Sequence, residues 1–321
     1  MDPVVSLGLL AVGAVALFLG SKWLVDGSTA LALRYGVRPL VIGLTIVALG
    51  TSSPEAVLAF FTSLEGNNQL SLGNVIGANI SVAALILGVG CLMGPLALKL
   101  NRMWRESAFL LLSGPLLAFL AWDGRLDLFD GVIMFIVLSG FFYVLYSAAC
   151  RGETCAVVEE ELEVVSDVGR MSFNRTIALI VAGSALLAVG AQAVIEGASG
   201  LAATLGVGEQ IIGLTLVAIG TTIPELTVTI TASRKRQSDV VLGNVVGTII
   251  VNTLFILGLG AIVGGYDTTA SATWVGMAIM ISLSTLVVLL LAFLDRGWRR
   301  TGLMMLSLYA LYIAVVALFL G

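Results

Sequence analysis

Two stretches of the chain repeat each other: residues 43–55 are GLTIVALGTSSPE and residues 213–225 are GLTLVAIGTTIPE. They are identical at nine of 13 positions, at an offset of 170 residues. A second pair, LGNVIG at 72–77 and LGNVVG at 242–247, keeps this offset and matches at five of six positions. The chain therefore contains a duplicated unit, and the offset predicts which residues occupy equivalent places in its two copies.

The composition places this duplicated unit in a membrane. Of the 321 residues, 59% are apolar and 11% are charged, and the mean hydropathy is +1.07. These values exclude a soluble fold, a disordered chain and a disulfide-rich secreted domain. Several apolar runs exceed the roughly 18 residues that predict a transmembrane helix. We predict an all-α membrane protein with ten spans, at 4–34, 39–64, 70–96, 104–122, 127–149, 173–203, 209–233, 239–264, 272–293 and 301–320.

Each copy holds five predicted spans, and this odd number makes the two copies cross the membrane in opposite directions. The first repeat is predicted at 1–149, with its motif region at 43–82. The second, inverted repeat is predicted at 173–321, with its motif region at 213–252, and the linker 150–172 joins the two. Inverted repeats are typical of transporters whose substrate site lies near the bilayer midplane, where the copies meet.

The basic residues predict the orientation of the chain. Fifteen of the 16 Lys and Arg residues fall on one side of the predicted spans, and only Arg125 falls on the other. Because basic loops face the cytoplasm, we expect both termini outside, the linker 150–172 in the cytoplasm, and the protein in the inner (plasma) membrane. The acidic run at 159–161 is interpreted as solvated linker, with a regulatory Ca²⁺ site as the alternative.

Two glutamates, Glu55 and Glu225, end the paired motifs near the middle of spans two and seven. An unpaired carboxylate at that depth is unfavourable by roughly a few kcal/mol. Neither motif contains a Lys or Arg that would neutralise it. The positive charge must therefore come from a bound cation or from protons, and two carboxylates match one divalent ion. The alternative is a pair of protonated glutamic acids that hydrogen-bond across a helix interface.

Each glutamate follows a Gly-Thr-X-X-Pro run, which predicts a broken helix. Pro54 and Pro224 each remove a backbone donor, and we expect freed carbonyls near Ala48 and Ala218 to point at the site. The runs begin at Gly50 and Gly220, and the hydroxyls of Thr51, Ser52, Thr221 and Thr222 lie three or four residues before each glutamate on the same helix face. Such an all-oxygen set suits a hard cation such as Ca²⁺. The structural alternative for each hydroxyl is a hydrogen bond to the preceding turn.

The second pair of motifs predicts close packing by spans three and eight. Glycines four residues apart let helices approach closely. The residues assigned to packing are Gly73, Asn74, Gly77, Gly243, Asn244 and Gly247. The copies differ just after these motifs, since the second carries Thr248 and Asn252 where the first carries Ala78 and Val82.

With GTSSPE, GTTIPE and two LGNVxG segments at matching places, the chain resembles the cation/Ca²⁺ antiporter superfamily, and within it the prokaryotic sodium/calcium exchangers. The resemblance covers nearly the whole chain and implies ten helices in two inverted five-helix repeats. It implies four ion sites arranged as a diamond between spans two, three, seven and eight, and spans one and six that slide across this core. It assigns ion binding to Glu55, Glu225, Thr51, Ser52, Thr221, Thr222, Thr248 and Asn252, and to the carbonyls of Ala48 and Ala218. Ca²⁺ and Na⁺ are then transported ions in a lipid bilayer, and no cofactor, nucleic acid or protein partner is implied.

Span three departs from the family pattern, which usually has GSN followed by a further Asn or Asp. Ala78 and Val82 supply neither the hydroxyl nor the carboxamide. Asn79 and Ser81 point elsewhere on an ideal helix, although a local break would bring Ser81 round. The secondary candidates for ion binding are Asn79, Ser81, Gly77 and Gly247. The two-glutamate site keeps its residues. One outer Na⁺ site lacks its expected hydroxyl, and the transport stoichiometry depends on whether that Na⁺ site forms.

The expected function is antiport. Two carboxylates can hold one Ca²⁺ or several monovalent ions but not both, so we expect Ca²⁺ export driven by Na⁺ entry through alternating access. Proton coupling, as in related Ca²⁺/H⁺ antiporters, is the alternative. A more distant one is an intramembrane enzyme with the glutamates as acid and base, but the chain contains no histidine. A channel is disfavoured because broken helices with convergent charge are typical of alternating access.

Overall fold

The computed structural model describes residues 3–35, 39–64, 68–97, 100–150, 171–204, 222–294 and 296–320. Within these ranges, eight helices are long and apolar enough to cross a membrane, and they correspond to every predicted span except two and seven. The continuous ones are span one (Pro3–Tyr35), span five (Leu128–Cys150), span six (Phe173–Thr204), span nine (Ser271–Phe293) and span ten (Arg299–Leu320). Span four (Leu100–Leu120) has a kink at Met103, whose φ of −134° and ψ of 22° are not helical.

Spans two, three and eight are helices interrupted by π-helical turns. Span two comprises Pro39–Ile42, the π turn Gly43–Val47, Ala48–Thr51 and Ser53–Leu64. Span three comprises Asn68–Ser81, the π turn Val82–Ile86 and Leu87–Met93; span eight comprises Ser238–Val251, the π turn Asn252–Ile256 and Leu257–Val263. Span seven is described over Ile223–Arg234, and its predicted first part, 209–221, lies outside the described residues. The break in span two was predicted from the sequence, whereas the π turns, which are frequent at functional sites, were not.

Spans three and eight form the centre of the bundle. In their apolar stretches, 78% and 83% of the residues are buried, against 11% to 44% in the other six long spans. The described helices of spans two and seven both pack on span eight. The two LGNVxG motifs therefore lie on the most enclosed helices of the described chain.

Two short strand pairs connect loops of the first half of the chain with loops of the second half. Strand β1 (Leu96–Ala97) pairs with β4 (Arg296–Gly297), and β2 (Arg125–Leu126) pairs with β3 (Tyr266–Asp267), both antiparallel. Strands β1 and β3 keep the offset of 170 residues, but β2 and β4 differ by 171. The predicted constant offset is therefore wrong beyond β3, because the turn before span nine is one residue longer than the turn before span four.

Spans one and six cross along a seam of glycines spaced seven residues apart. A Cβ atom on Gly20 would lie 2.9 Å from the Gly183 carbonyl oxygen, and a Cβ atom on Gly183 would lie 2.9 Å from the Gly20 carbonyl oxygen. Backbone on each helix thus occupies the space that a side chain on the other would need. The seam consists of Gly13, Gly20 and Gly27 in span one and Gly183, Gly190 and Gly197 in span six.

Candidate ion-binding site

The residues that precede the two glutamate-bearing helices have the same backbone geometry. Ser52 has φ −79° and ψ 4°, and Thr222 has φ −91° and ψ 2°, so neither residue is α-helical. A new helix starts immediately after each, at Ser53–Leu64 and at Ile223–Arg234. Each new helix carries its glutamate in the first turn, where the partial positive charge of the helix N-terminus favours an anion.

Glu55 and Glu225 are each only 1% exposed. Among the described residues, none donates a hydrogen bond to any of their four carboxylate oxygens. The two carboxyl groups, one from each half, lie close enough for the charge of one to affect the other. The ion pairs found in the described ranges, Arg125 with Asp123 and Lys235 with Asp26, involve neither glutamate.

Further buried oxygens lie on the helices that pack around the glutamates. The hydroxyls of Ser52 and Thr248 and the carboxamide of Asn252 are at most 2% exposed and have no hydrogen-bond partner within the described ranges. The helix Ser238–Val251, which carries Thr248, packs on spans two and seven, and the π turn that Asn252 opens packs on Ser53–Leu64. Buried polar atoms are normally paired, so the unpaired oxygens on these helices are unusual among the described residues.

Thr51 and Thr222 are buried as well, but unlike the Ser52 hydroxyl, their hydroxyls are not among the unpaired buried atoms. The Thr51 side chain lies beside the Glu225 carboxylate, and its hydroxyl is 3.1 Å from the Val47 carbonyl oxygen and 3.2 Å from that of Ala48. The alternative of a hydrogen bond to the preceding turn is thus confirmed for Thr51. Thr222 is 2% exposed and occupies the helix break itself.

Comparison with known proteins shows the family to which the chain with this site belongs. The profile of the family described as sodium/calcium exchanger protein matches residues 5–147 and 175–318, which are the two halves on either side of the predicted linker. The chain belongs to the sodium/calcium exchanger family. The predicted family and the fold of ten helices in two inverted repeats are confirmed, and this exchanger is an integral membrane protein of a cation-exchanging family.

The exchanger has relatives that match along nearly their whole length. It is 28% identical over 350 residues to the sodium/calcium exchanger MaX1 of Methanosarcina acetivorans, with 96% of this chain and 97% of that one covered. It is 30% identical over 298 residues to the inner membrane protein YrbG of Escherichia coli, with 91% and 89% covered. The solved structure of the sodium-calcium exchanger NCX_Mj, soaked with Na⁺ and Sr²⁺, superposes with a TM-score of 0.82 at 29% identity, covering 98% of this chain and 99% of that one.

In the exchanger, the predicted freeing of the Ala48 carbonyl is wrong. This oxygen accepts a hydrogen bond from the Ser52 backbone N–H at 2.9 Å. Since a carbonyl oxygen has two lone pairs, ion binding by Ala48 stays a prediction. The equivalent positions Ala218, Gly220 and Thr221 lie outside the described residues, as does most of the acidic linker, 151–170.

The predicted glycine packing is confirmed in the second copy. A Cβ atom on Gly243 would lie 2.7 Å from the Leu40 carbonyl oxygen, and one on Gly247 would lie 2.7 Å from Leu44 Cα. Span eight therefore touches the backbone of span two. In the first copy no described atom lies within 4 Å of a Cβ atom on Gly73, and the nearest to one on Gly77 is the Tyr312 hydroxyl at 4.0 Å. The structure does not show this packing role for the first pair.

The side chains of span three near the departure from the family pattern bind other helices. The Asn79 amide donates to the Thr253 hydroxyl at 2.9 Å, and the Ser81 hydroxyl donates to the Tyr309 hydroxyl of span ten at 3.2 Å. Ala78 and Val82 are buried. A π turn begins at Val82, directly after Ser81, but the Ser81 hydroxyl is engaged with span ten.

One residue assigned only to packing makes contacts that the sequence analysis missed. The carboxamide of Asn244 is completely buried and lies between spans two and seven. Its oxygen lies 3.4 Å from the Thr51 hydroxyl, and its nitrogen lies 3.4 Å from the Glu225 backbone oxygen. No local sequence pattern indicates these contacts, because the Thr51 partner is 193 residues away.

Proposed function

We propose that this exchanger transports Ca²⁺ against Na⁺ by alternating access, with both ions competing for the site around Glu55 and Glu225. The observation that carries the proposal is the pair of fully buried, mutually repelling carboxylates without a basic or hydrogen-bonding partner among the described residues. The names of its relatives MaX1 and NCX_Mj as sodium/calcium exchangers support the assignment of the ions.

The charge of the site explains why the two ions must be exchanged. Burying an ionised carboxylate without compensation is unfavourable by several kcal/mol. One Ca²⁺ or two Na⁺ would balance the two carboxylates, whereas an empty site would carry two uncompensated charges through the membrane core. The loaded protein therefore changes its accessible side far more readily than the empty one, and this couples the two fluxes.

The donor set fits these ions. All candidate ligands are oxygens, and Ca²⁺ takes six to eight oxygens in a flexible geometry. The structure contributes the unpaired oxygens of Ser52, Thr248 and Asn252, and Thr51 lies beside Glu225. We propose that Thr221, Thr222 and the carbonyls of Ala48 and Ala218 complete the set.

Proton coupling is the second candidate, and span three is the observation that favours it. Ala78 and Val82 are buried where the family pattern places a hydroxyl and a carboxamide, so this side of the site offers fewer oxygens to Na⁺. Protons need no such coordination shell. Under this alternative the two glutamates would still bind Ca²⁺, but a pH gradient would drive its transport.

Ca²⁺ uptake into proteoliposomes tests both candidates. We expect an imposed outward Na⁺ gradient to drive ⁴⁵Ca²⁺ uptake, and E55Q and E225Q each to abolish it. The matched control is E196Q, which removes a carboxylate that is exposed and accepts a hydrogen bond from Gln192. Uptake driven only by a pH gradient would establish the proton alternative, and unchanged uptake by E55Q would refute the shared site.

The orientation is part of the proposal. We propose that both termini and the pair β2–β3 lie outside the inner membrane, and that the linker 150–172 and the pair β1–β4 lie in the cytoplasm, following the distribution of basic residues. We also propose that the first repeat is 1–149 and the second is 173–321. Labelling of single cysteines at Ser172 and Thr269 with a membrane-impermeant reagent in whole cells tests the orientation, since only the second is expected to react.

A further inference from the structure

Asn244 lies beside a close approach between the backbones of spans two and eight. The preceding residue is Gly243, and a Cβ atom there would lie 2.9 Å from Gly43 Cα. Next to this contact, the completely buried carboxamide of Asn244 lies between spans two and seven. A carboxamide has two N–H donors and one acceptor oxygen, and at Asn244 both kinds of group have partners on other spans.

The donor side of Asn244 faces span seven at two places. Its Nδ2 lies 3.4 Å from the Glu225 backbone oxygen and 3.3 Å from the Thr229 hydroxyl. Glu225 and Thr229 are four residues apart on the helix Ile223–Arg234, so they lie on one face of it, one turn apart. Two contacts on one face restrict rotation of the helix about its axis, and that rotation sets the direction of the Glu225 side chain.

The acceptor side of Asn244 faces span two. The Thr51 hydroxyl lies 3.4 Å from Asn244 Oδ1, and its other two acceptors, the carbonyls of Val47 and Ala48, belong to its own helix. A hydroxyl that binds a cation must direct its lone pairs at the ion, and its proton must then go to another acceptor. Asn244 Oδ1 is an acceptor for this proton from the opposite half of the chain.

From these contacts we propose that Asn244 is a positioning residue for ion binding. It holds the Thr51 hydroxyl of one half and the Glu225 helix of the other in a fixed mutual arrangement without itself being a ligand. The inference rests on the proposed function, because it assigns Thr51 and Glu225 to one ion site. It predicts that loss of the carboxamide weakens ion binding through Thr51, which a residue that only fills space would not do.

A double-mutant cycle between Asn244 and Thr51 tests the inference. In Na⁺-driven ⁴⁵Ca²⁺ uptake, we expect N244L, which keeps the side-chain volume, to raise the KM for Ca²⁺ about tenfold and to change the maximal rate much less. We expect T51V to raise it by a similar factor, and the double variant to raise it clearly less than the product of the two single effects, because both single variants remove the contact between Asn244 and Thr51. The control is S113A, which removes a buried hydroxyl bonded within span four and is expected to leave KM within about twofold. Additive effects, or an N244L variant with an unchanged KM, would overturn the proposal.

A second measurement does not depend on transport. In the ion-free, detergent-solubilised protein we expect N244L to speed amide hydrogen exchange of residues 223–229 at least about fivefold while span nine exchanges as before. Unchanged exchange in 223–229 would contradict the positioning role. If N244L does not reconstitute, T229V removes one of the two contacts on span seven and is expected to raise both readouts by about two- to threefold. Absence of any Ca²⁺ exchange by the wild type would refute the proposed function, whereas amide exchange would still decide the role of Asn244.

Discussion

Ser52 and Thr222 lie 170 residues apart in sequence and have the same non-helical backbone conformation, each three residues before a buried glutamate. At Ser52 one helix stops and the next begins, and after Thr222 a helix begins, so the positive end of a helix lies at each carboxylate. An anion at such an end gains about 0.3–1 kcal/mol, and up to roughly 2 kcal/mol when partly buried. This gain is smaller than the several kcal/mol that burying a carboxylate costs. The helix ends alone therefore cannot stabilise both charges, and the cation that we propose at this site would supply the remainder.

The first prediction concerns stability without transported ions. Neutralising both glutamates in an E55Q/E225Q variant removes two buried charges that repel each other. We expect the variant to unfold at a higher temperature than the wild type in Na⁺-free, Ca²⁺-free buffer. Saturating Ca²⁺ is expected to stabilise the wild type by about 2.7 kcal/mol at a hundred times its Kd, and to leave the variant unchanged.

Thermal unfolding in detergent, with choline as the only cation, measures both effects. The control variant is E196Q, since Glu196 is exposed and bonded to Gln192. It is expected to respond to Ca²⁺ as the wild type does. A double variant that is less stable than the wild type without ions would contradict the assignment of unpaired buried charge.

The second prediction separates two buried threonine hydroxyls on span eight. Thr248 has no partner among the described residues, whereas Thr253 accepts a hydrogen bond from Asn79. T248V is expected to raise stability in ion-free buffer by about 1 kcal/mol, because an unpaired buried hydroxyl is removed, and to diminish stabilisation by Ca²⁺ or Na⁺. T253V is expected to lower stability by about 1–3 kcal/mol and to keep the response to ions. Equal behaviour of the two variants in ion titrations followed by thermal unfolding would rule out an ion-binding role for Thr248.

The third prediction concerns the contact between spans two and eight. G243A places a methyl group 2.7 Å from the Leu40 carbonyl oxygen, and we expect it to destabilise the protein by about 1–3 kcal/mol through overpacking. The matched control is G140A in span five, where no described atom lies within 4 Å of the added carbon. It is expected to change stability by less than about 0.5 kcal/mol. Denaturation of purified protein compares the two, and a G243A variant as stable as G140A would contradict the close approach.

The sequence predicted the features that depend on local chemistry. Proline three residues after threonine predicted the break at Ser52, and the repeated motif placed an equivalent break at Thr222. The ten spans follow from apolar runs, because a membrane helix must satisfy its backbone internally. The glycine seam between spans one and six was also present as a signal, since glycines recur every seven residues in both copies.

Other features depend on contacts between distant parts of the chain. The π turns at Val82–Ile86 and Asn252–Ile256 contain neither proline nor glycine, so no local residue indicates them. Asn244 lies in a glycine-rich packing motif, and its role became visible only when Thr51 and Glu225 were placed beside it. Ser81 was a candidate for the ion site, but its hydroxyl binds Tyr309 from the last helix, which no reading of span three alone would predict.

The fourth prediction concerns the ion pair between Asp26 of span one and Lys235 at the end of span seven. The pair is partly buried, with side-chain exposures of 18% and 31%, and a hydrogen bond of 2.9 Å between the hydroxyls of Ser21 and Thr231 lies on the same two helices. D26N and K235M are each expected to destabilise the protein by up to about 1 kcal/mol. The reversed pair D26K/K235D is expected to recover much of that loss, because it restores opposite charges at the same place.

A double-mutant cycle of thermal stability measures the coupling between Asp26 and Lys235. We expect the coupling to weaken when choline chloride is raised from about 0.05 M to about 1 M, since the Debye length falls to about 3 Å. S21A/T231V, which removes the neighbouring hydrogen bond, is expected to be insensitive to salt and serves as the control. A charge reversal that is as unstable as the two single variants combined would show that the two side chains do not interact.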